Sequence, residues 1–582
     1  MFGLISRGAR TMTENISSFD KFILESAEQY LQTVVLIDDR IYDKLGGNVT
    51  ARLTKPAAEL RKPALRSIVT VSGIKNTADK KIVDVEKPDE VSFHDVQNSF
   101  AKKRIICSLY QPKKGASFGP RSEVYNLCSS ADIVIVDWDL HGDTGRKATE
   151  LVGTLIENSM KEIPNQLRLV LIYTMEANLG SVANAIFENL SARPGLGSIQ
   201  VDPATEGLVL KTASARVVVL GKREQSTLIQ YVNFYVQERD IARRAIKEFS
   251  QLASGLLQAI VLRGVASLRE NNRRILMRFR EDLDTAFLIH RTLFLPDEAF
   301  GQIIPLLTDE LRAVLEDKLG DNPLGAHHMA EEIISDWCDK HWKPGEHATF
   351  AIGEGVDALA FAKDVFCNGP AIKKDYSKVQ KSQIPGLVFK KENERPQWNE
   401  KRSVNLAEYL SSDCNGDSCH EMLSSLMSQR IAYENAHREL HLGVILREVG
   451  GKQRYMICLQ PVCDSIRING KIRPFIFCFM DVPEIGKPFT HAVMDIKDNP
   501  IQLDYKPKVS NCYVSKFTTG VDALCAAKDD EGRFIFEDES KNKYEWIAEL
   551  KTEHAQRAAE EFGRTMSRVG LTESEWLRLK AK

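Results

Sequence analysis

With 582 residues the chain is long enough for two to four domains with sizeable cores. Its 78 Lys and Arg nearly balance 80 Asp and Glu, so no global field draws it to nucleic acid or to an anionic membrane surface. The longest apolar run, near Leu256–Leu262, is far too short to span a bilayer. The N-terminal MFGLISRGARTMTEN lacks a long apolar core and a cleavage site, and the 11 cysteines suit reduced thiols, so a cytoplasmic protein is expected.

In chain order, residues 14–32 carry an amphipathic helical pattern, with Phe19, Phe22, Ile23, Ala27 and Tyr30 near one face. Thr33–Asp39 (TVVLIDD) follows as a strand ending in two acids. The polar stretch from Arg40 to about Glu90 reads as an insertion. Val91–Lys103 suits a helix, Arg104–Tyr110 a second strand and Ser122–Ser129 a short helix. Ala131–Gly145 (ADIVIVDWDLHGDTG) is a buried strand running into a carboxylate and a Gly-containing loop. Helix Arg146–Lys161, strand Leu167–Thr174, helix Asn178–Leu190 and strand Arg216–Lys222 complete the alternation. Ser226 is placed to cap a helix whose Leu228, Ile229, Val232 and Tyr235 would cover the sheet.

From about 239 to 365 the pattern is mostly helical and includes the basic stretch Arg269–Arg280, whose ordinary role is a solvated helix face. Residues 368–402 are Lys-rich and contain Pro385 and Pro396, as a linker does. The period then changes. His441–Val449 and Tyr455–Leu459 read as one hairpin around Gly450-Gly451, and Ser465–Ile468 with Ile472–Phe479 as another around Asn469-Gly470. Strand-like pieces at Cys512–Phe517 and Arg533–Glu537 and a closing helix over Trp546–Val569 follow. The expected domains are residues 1–240, a helical region 241–400 and an α+β domain 401–582.

Four apolar strands therefore end, in order, in Asp38-Asp39, Asp137, Thr174 and Lys222. Ligands of open α/β sheets bind at the carboxyl ends of strands. This ordered set resembles the receiver domain of two-component response regulators, over roughly residues 30–240. The resemblance implies a flavodoxin-like, doubly wound, five-stranded parallel sheet. It assigns Asp137 as phosphoacceptor from a partner histidine kinase, and Asp38, Asp39, Asp137 and the backbone carbonyl of Asp139 as ligands of Mg²⁺ or Mn²⁺. Thr174 and Lys222 would contact the phosphoryl group. Output would run through protein–protein contacts with an effector, or the protein would act as a phosphate sink. Large receiver proteins without a DNA-binding module also occur in bacterial anti-phage two-component systems, and the resemblance extends to that role.

The chain departs from the usual receiver pattern at three places. Arg223 follows the lysine where proline is common, Val219 stands at the aromatic switch position, and the bulky Met175 follows Thr174. A pseudo-receiver that binds without phosphorylation is one alternative. A haloacid-dehalogenase-like phosphatase, with Asp137 as nucleophile and Asp139 as acid/base, is another, but that family places its acidic metal pair after the lysine. Cys414, Cys419 and His420, or His327, His328, Cys338 and His341, could be halves of a zinc site, although their spacings are unusual. Cys463 has no neighbouring His base. No P-loop glycine motif is present.

Overall fold

The computed structural model describes residues 16–41, 92–162, 166–193, 199–222, 228–292, 303–320, 327–341, 417–432, 437–451, 454–465, 471–484, 487–497, 499–520 and 523–566, with a few isolated positions. They fall into two compact units, Met1–Lys340 and His341–Lys582. The expected insertion after Arg40 lies almost wholly outside the described residues, as do the Lys-rich stretch 368–402, Ser226 and Cys414.

In the first unit the Ser17 hydroxyl accepts the Asp20 N–H and starts helix α1, Ser18–Tyr30. Its Phe19, Phe22, Ile23 and Ala27 are buried, on the face that the 3.6-residue period marks. The apolar runs pair into a seven-stranded sheet. Its strands are β1 Thr33–Ile37, β2 Ile106–Tyr110, β3 Ile133–Val136, β4 Arg168–Thr174, β5 Gln200–Val201, β6 Val209–Lys211 and β7 Ala215–Gly221, in the order β2-β1-β3-β4-β7-β6-β5. The first five strands of that order are parallel. Helices α2 Phe93–Ala101, α3 Glu123–Ser129, α4 Arg146–Glu162 and α5 Leu179–Ser191 alternate with them. Strand β3 and the interior of β4 are buried on both faces, as their unbroken apolar runs require.

Two expectations are corrected here. The sheet has seven strands, not five, because β5 and β6 add an antiparallel extension on β7. That extension, with α5, fills the long gap between Thr174 and Lys222. The segment after Lys222 is not an α-helix covering the sheet with Leu228, Ile229 and Val232. It is a 3₁₀ helix, Ile229–Phe234, that leaves those three exposed and buries Tyr231 and Phe234. A three-residue period brings Tyr231 and Phe234 to the same side.

The first unit continues past residue 240. Helix α6, Ile241–Ser250, buries Ile241, Ala242, Ala245, Ile246 and Phe249 in the same core as the sheet. Helix α7, Leu256–Leu276, packs Ala259 against Phe19, Phe22 and Ile23 of α1, and Ile333 of helix His327–His341 joins them. The basic stretch on α7 is not wholly solvated. Arg269 donates to the Tyr30 carbonyl at 2.9 Å and lies over the Tyr30 ring, whereas Arg273, Arg274, Arg278 and Arg280 are exposed.

The second unit carries a nine-stranded antiparallel sheet. Strands β8 Val444–Glu448, β9 Tyr455–Cys458, β10 Ile472–Asp481, β11 His491–Met494, β12 Pro500–Tyr505, β13 Cys512–Thr518, β14 Ala527–Lys528, β15 Phe534–Glu537 and β16 Lys543–Glu549 run in the order β11-β12-β10-β9-β8-β16-β15-β14, with β13 on β10. The β8–β9 hairpin is where the sequence places it. Ser465 is instead on a one-turn helix, Val462–Ser465, and β10 takes β9 and β13 as partners. Trp546 lies inside β16, and the closing helix starts only at Thr552. Tyr544 and Trp546 pack into one core of the unit and Ile547 and Ala548 into another, across a register shift in the pairing of β16 with β8, so pairing with β8 and β15 outweighs the helical period there.

Candidate phosphoacceptor site

Strands β1, β3, β4 and β7 are consecutive in the sheet, and backbone bonds continue past the ends of β1, β3 and β7. Asp38 N–H reaches the Tyr110 carbonyl at 3.4 Å, Asp137 N–H the Ile37 carbonyl at 2.8 Å, and Lys222 N–H the Thr174 carbonyl at 2.7 Å. Residues remote in sequence are therefore held at one edge. Lys222 Nζ lies 2.8 Å from Asp38 Oδ2 and 2.7 Å from Asp137 Oδ1, with all three side chains about 2% exposed. Asp38, Asp39 and Asp137 each place a carboxylate oxygen within 4.8 Å of the others.

The outer side of the group is held by two residues that the sequence reading did not single out. Arg40 Nη2 is 3.2 Å from Asp137 Oδ2, and its Nε is 3.8 Å from both Asp38 Oδ1 and Asp39 Oδ1. The Arg40 backbone N–H also donates to Asp38 Oδ1 at 3.0 Å. Asp39 Oδ2 accepts the His141 backbone N–H at 2.8 Å, and the His141 ring Nδ1 lies 3.3 Å from the same oxygen. Arg40 follows the acidic pair directly and His141 sits in the Gly-containing loop, so their adjacency to the motif was the available signal.

Three carboxylates face two cations here. Burial pushes the Asp137 carboxyl above the usual aspartate range, and Asp38 pushes it the same way, while Lys222 and Arg40 pull it back. Asp39 Oδ1 is buried without a hydrogen-bond partner. An excess of buried carboxylate with an unused oxygen fits a hard divalent cation such as Mg²⁺ or Mn²⁺.

The remaining expected residues divide. Thr174 is buried at the end of β4, where its Oγ1 accepts the Glu176 N–H at 3.1 Å. Asp139 is exposed, and its carboxylate accepts the Thr144 N–H at 3.1 Å within its own loop. Val219 is fully buried in β7. Among the described residues the only cluster with metal-ligand geometry is the aspartate trio, and none forms around His328, Cys338 and His341 or around Cys419 and His420. Cys463 is exposed on its one-turn helix. No helix among the described residues is long and apolar enough to cross a membrane.

The family model of the response receiver domain matches residues 30–227. No curated protein and no solved structure matches the chain. The match starts in α1 just before β1 and ends just past Lys222, so it encloses every strand of the first sheet and the whole acidic site. Residues 30–227 are thus a response receiver domain, which gives the chain a response-regulator-like role in signalling.

Proposed function

We propose that Asp137 accepts a phosphoryl group from a partner histidine kinase. The observation that carries this reading is the Lys222 ammonium bridging the buried Asp38 and Asp137 carboxylates, beside an Asp39 oxygen with no hydrogen-bond partner. In the transfer an Asp137 carboxylate oxygen forms the bond to phosphorus as the bond from phosphorus to the donor imidazole nitrogen breaks. The imidazole leaves with the bonding electron pair. Asp137 must be ionised to attack, and Lys222 and Arg40 favour that form against burial. Lys222 supplies a fixed positive charge to the developing phosphoryl oxygens, and Thr174 stands at the same edge as a hydroxyl donor.

Asp38, Asp39 and Asp137, with the Asp139 carbonyl, would hold the Mg²⁺ or Mn²⁺ ion. When bound there, the ion gathers and neutralises phosphoryl oxygens.

The phosphatase alternative requires an acid/base beside Asp137, and the Asp139 side chain is engaged by Thr144 instead. Output by protein–protein contact, or phosphate buffering in a pathway such as anti-phage defence, completes the reading. The test uses the full chain with beryllofluoride and Mg²⁺, followed through the fluorescence of the buried Trp138 next to the phosphoacceptor. A saturable change is expected in wild type and not in Asp137→Ala. If the two respond alike, or neither responds, the phosphoacceptor reading is wrong and a pseudo-receiver remains. Steady turnover of a generic phosphomonoester, lost in Asp137→Asn, would instead establish a phosphatase.

A further inference from the structure

The two cations of the site are not equivalent. Lys222 is about 2% exposed and holds the inner oxygens, Asp38 Oδ2 and Asp137 Oδ1. Arg40 is 49% exposed and holds the outer ones, with Asp137 Oδ2 at 3.2 Å and Asp38 Oδ1 and Asp39 Oδ1 at 3.8 Å. Arg40 is thus the cation within reach of all three carboxylates, and it includes the Asp39 oxygen that has no hydrogen bond. We infer that Arg40 is a built-in competitor for the divalent-cation site, a resident guanidinium that must give up its outer oxygens before these carboxylates can bind a metal ion.

The charge count supports an exchange. Three carboxylates against Lys222 and Arg40 leave one negative charge in excess. A divalent ion added with Arg40 in place would turn that into an excess positive charge, whereas one that replaces Arg40 brings the group to neutrality. Near-neutral buried groups are the less costly ones. The Arg40 side chain is half in solvent, so it can leave without opening the core. Its backbone N–H continues to orient Asp38 Oδ1 whatever the side chain does.

This inference rests on the metal-binding reading above, and its test separates the two. Mg²⁺ binding to the full chain is measured by titration calorimetry, with the thermal midpoint recorded in EDTA and in saturating Mg²⁺. Arg40→Gln is expected to tighten Mg²⁺ roughly three- to tenfold, the scale of one partly exposed charge pair. Arg40→Lys should stay within about twofold of wild type. Arg40→Gln should also lower the midpoint in EDTA, and this gap should narrow with Mg²⁺. Wild-type binding that Asp39→Asn weakens, with unchanged or weaker binding in Arg40→Gln, would overturn the competitor role alone. Absence of Mg²⁺ binding in wild type and in Arg40→Gln would overturn the metal site and the inference together.

Discussion

The loop after β3 packs chemistry and strain into nine residues. His141, Gly142, Thr144 and Gly145 have φ values of +62°, +73°, +55° and +89°. This winding lets the His141 N–H face Asp39 while Trp138 and Leu140 turn back into the core. His141 and Thr144 tolerate the left-handed region at some cost. At Gly145 the constraint is steric as well, because a Cβ would fall on the Trp138 indole ring. Gly145→Ala is therefore expected to lose about 2–4 kcal/mol of stability, from the positive φ and the overpacked ring together. Chemical denaturation of the full chain measures it, and a loss under about 0.5 kcal/mol would show that the loop relaxes freely.

At the scale of single elements, the edge strands of the second sheet carry a pH response. His491 opens β11, where its Nδ1 lies 2.9 Å from Thr490 Oγ1 and its ring meets the Tyr505 ring edge-on. Burial lowers its pKa to about 4, with His554 adding repulsion and Asp504 opposing both. The folded strand thus holds a neutral ring, whereas the unfolded chain protonates near the ordinary value of 6.5. The unfolded state binds the extra proton, so this contribution is complete above that value and is lost as the pH falls through the interval toward about 4. Between pH 7 and pH 5 the second unit should lose about 2 kcal/mol through this group. His491→Gln should flatten that dependence in urea unfolding followed at Trp546, and an equally steep loss in the variant would refute the assignment.

For the whole molecule, the receiver match ends at residue 227, yet the packed unit does not. Glu248 of α6 meets Arg216 of β7 at 2.6 Å, both largely buried, and also accepts from Arg244 at 2.8 Å. Ending the chain at residue 240 would strand the Arg216 guanidinium and uncover the sheet residues beneath Ile246 and Phe249. Removing one partner of a buried ion pair alone costs about 3–5 kcal/mol. A fragment of residues 1–240 is therefore expected to aggregate or to melt well below a fragment of residues 1–340. Equal melting midpoints for the two would show that α6 and α7 are dispensable to the receiver.

Local signals carried the strands and the residues at their ends. An unbroken β-branched run such as Ile133–Val136 suits a strand buried on both faces, and the acids, Thr174 and Lys222 mark where each run ends. The amphipathic face of α1 and the β8–β9 hairpin were legible for the same reason: their periods are set within a few residues. The β5–β6 extension was not, since two- and three-residue strands carry too little periodicity and are specified by pairing with β7. Nor was the 3₁₀ turn at Ile229–Phe234, whose burial depends on which side residues Tyr231 and Phe234 find covered. Arg40 and His141 acquired their places only when β1 and β3 aligned, because charge–charge contact depends on distance in space and not on position in the chain. The sequence by itself determined which polar groups end the apolar strands, because each run and its last residue are local; the fold decided which cation stands beside the three carboxylates, because that depends on which strand ends align.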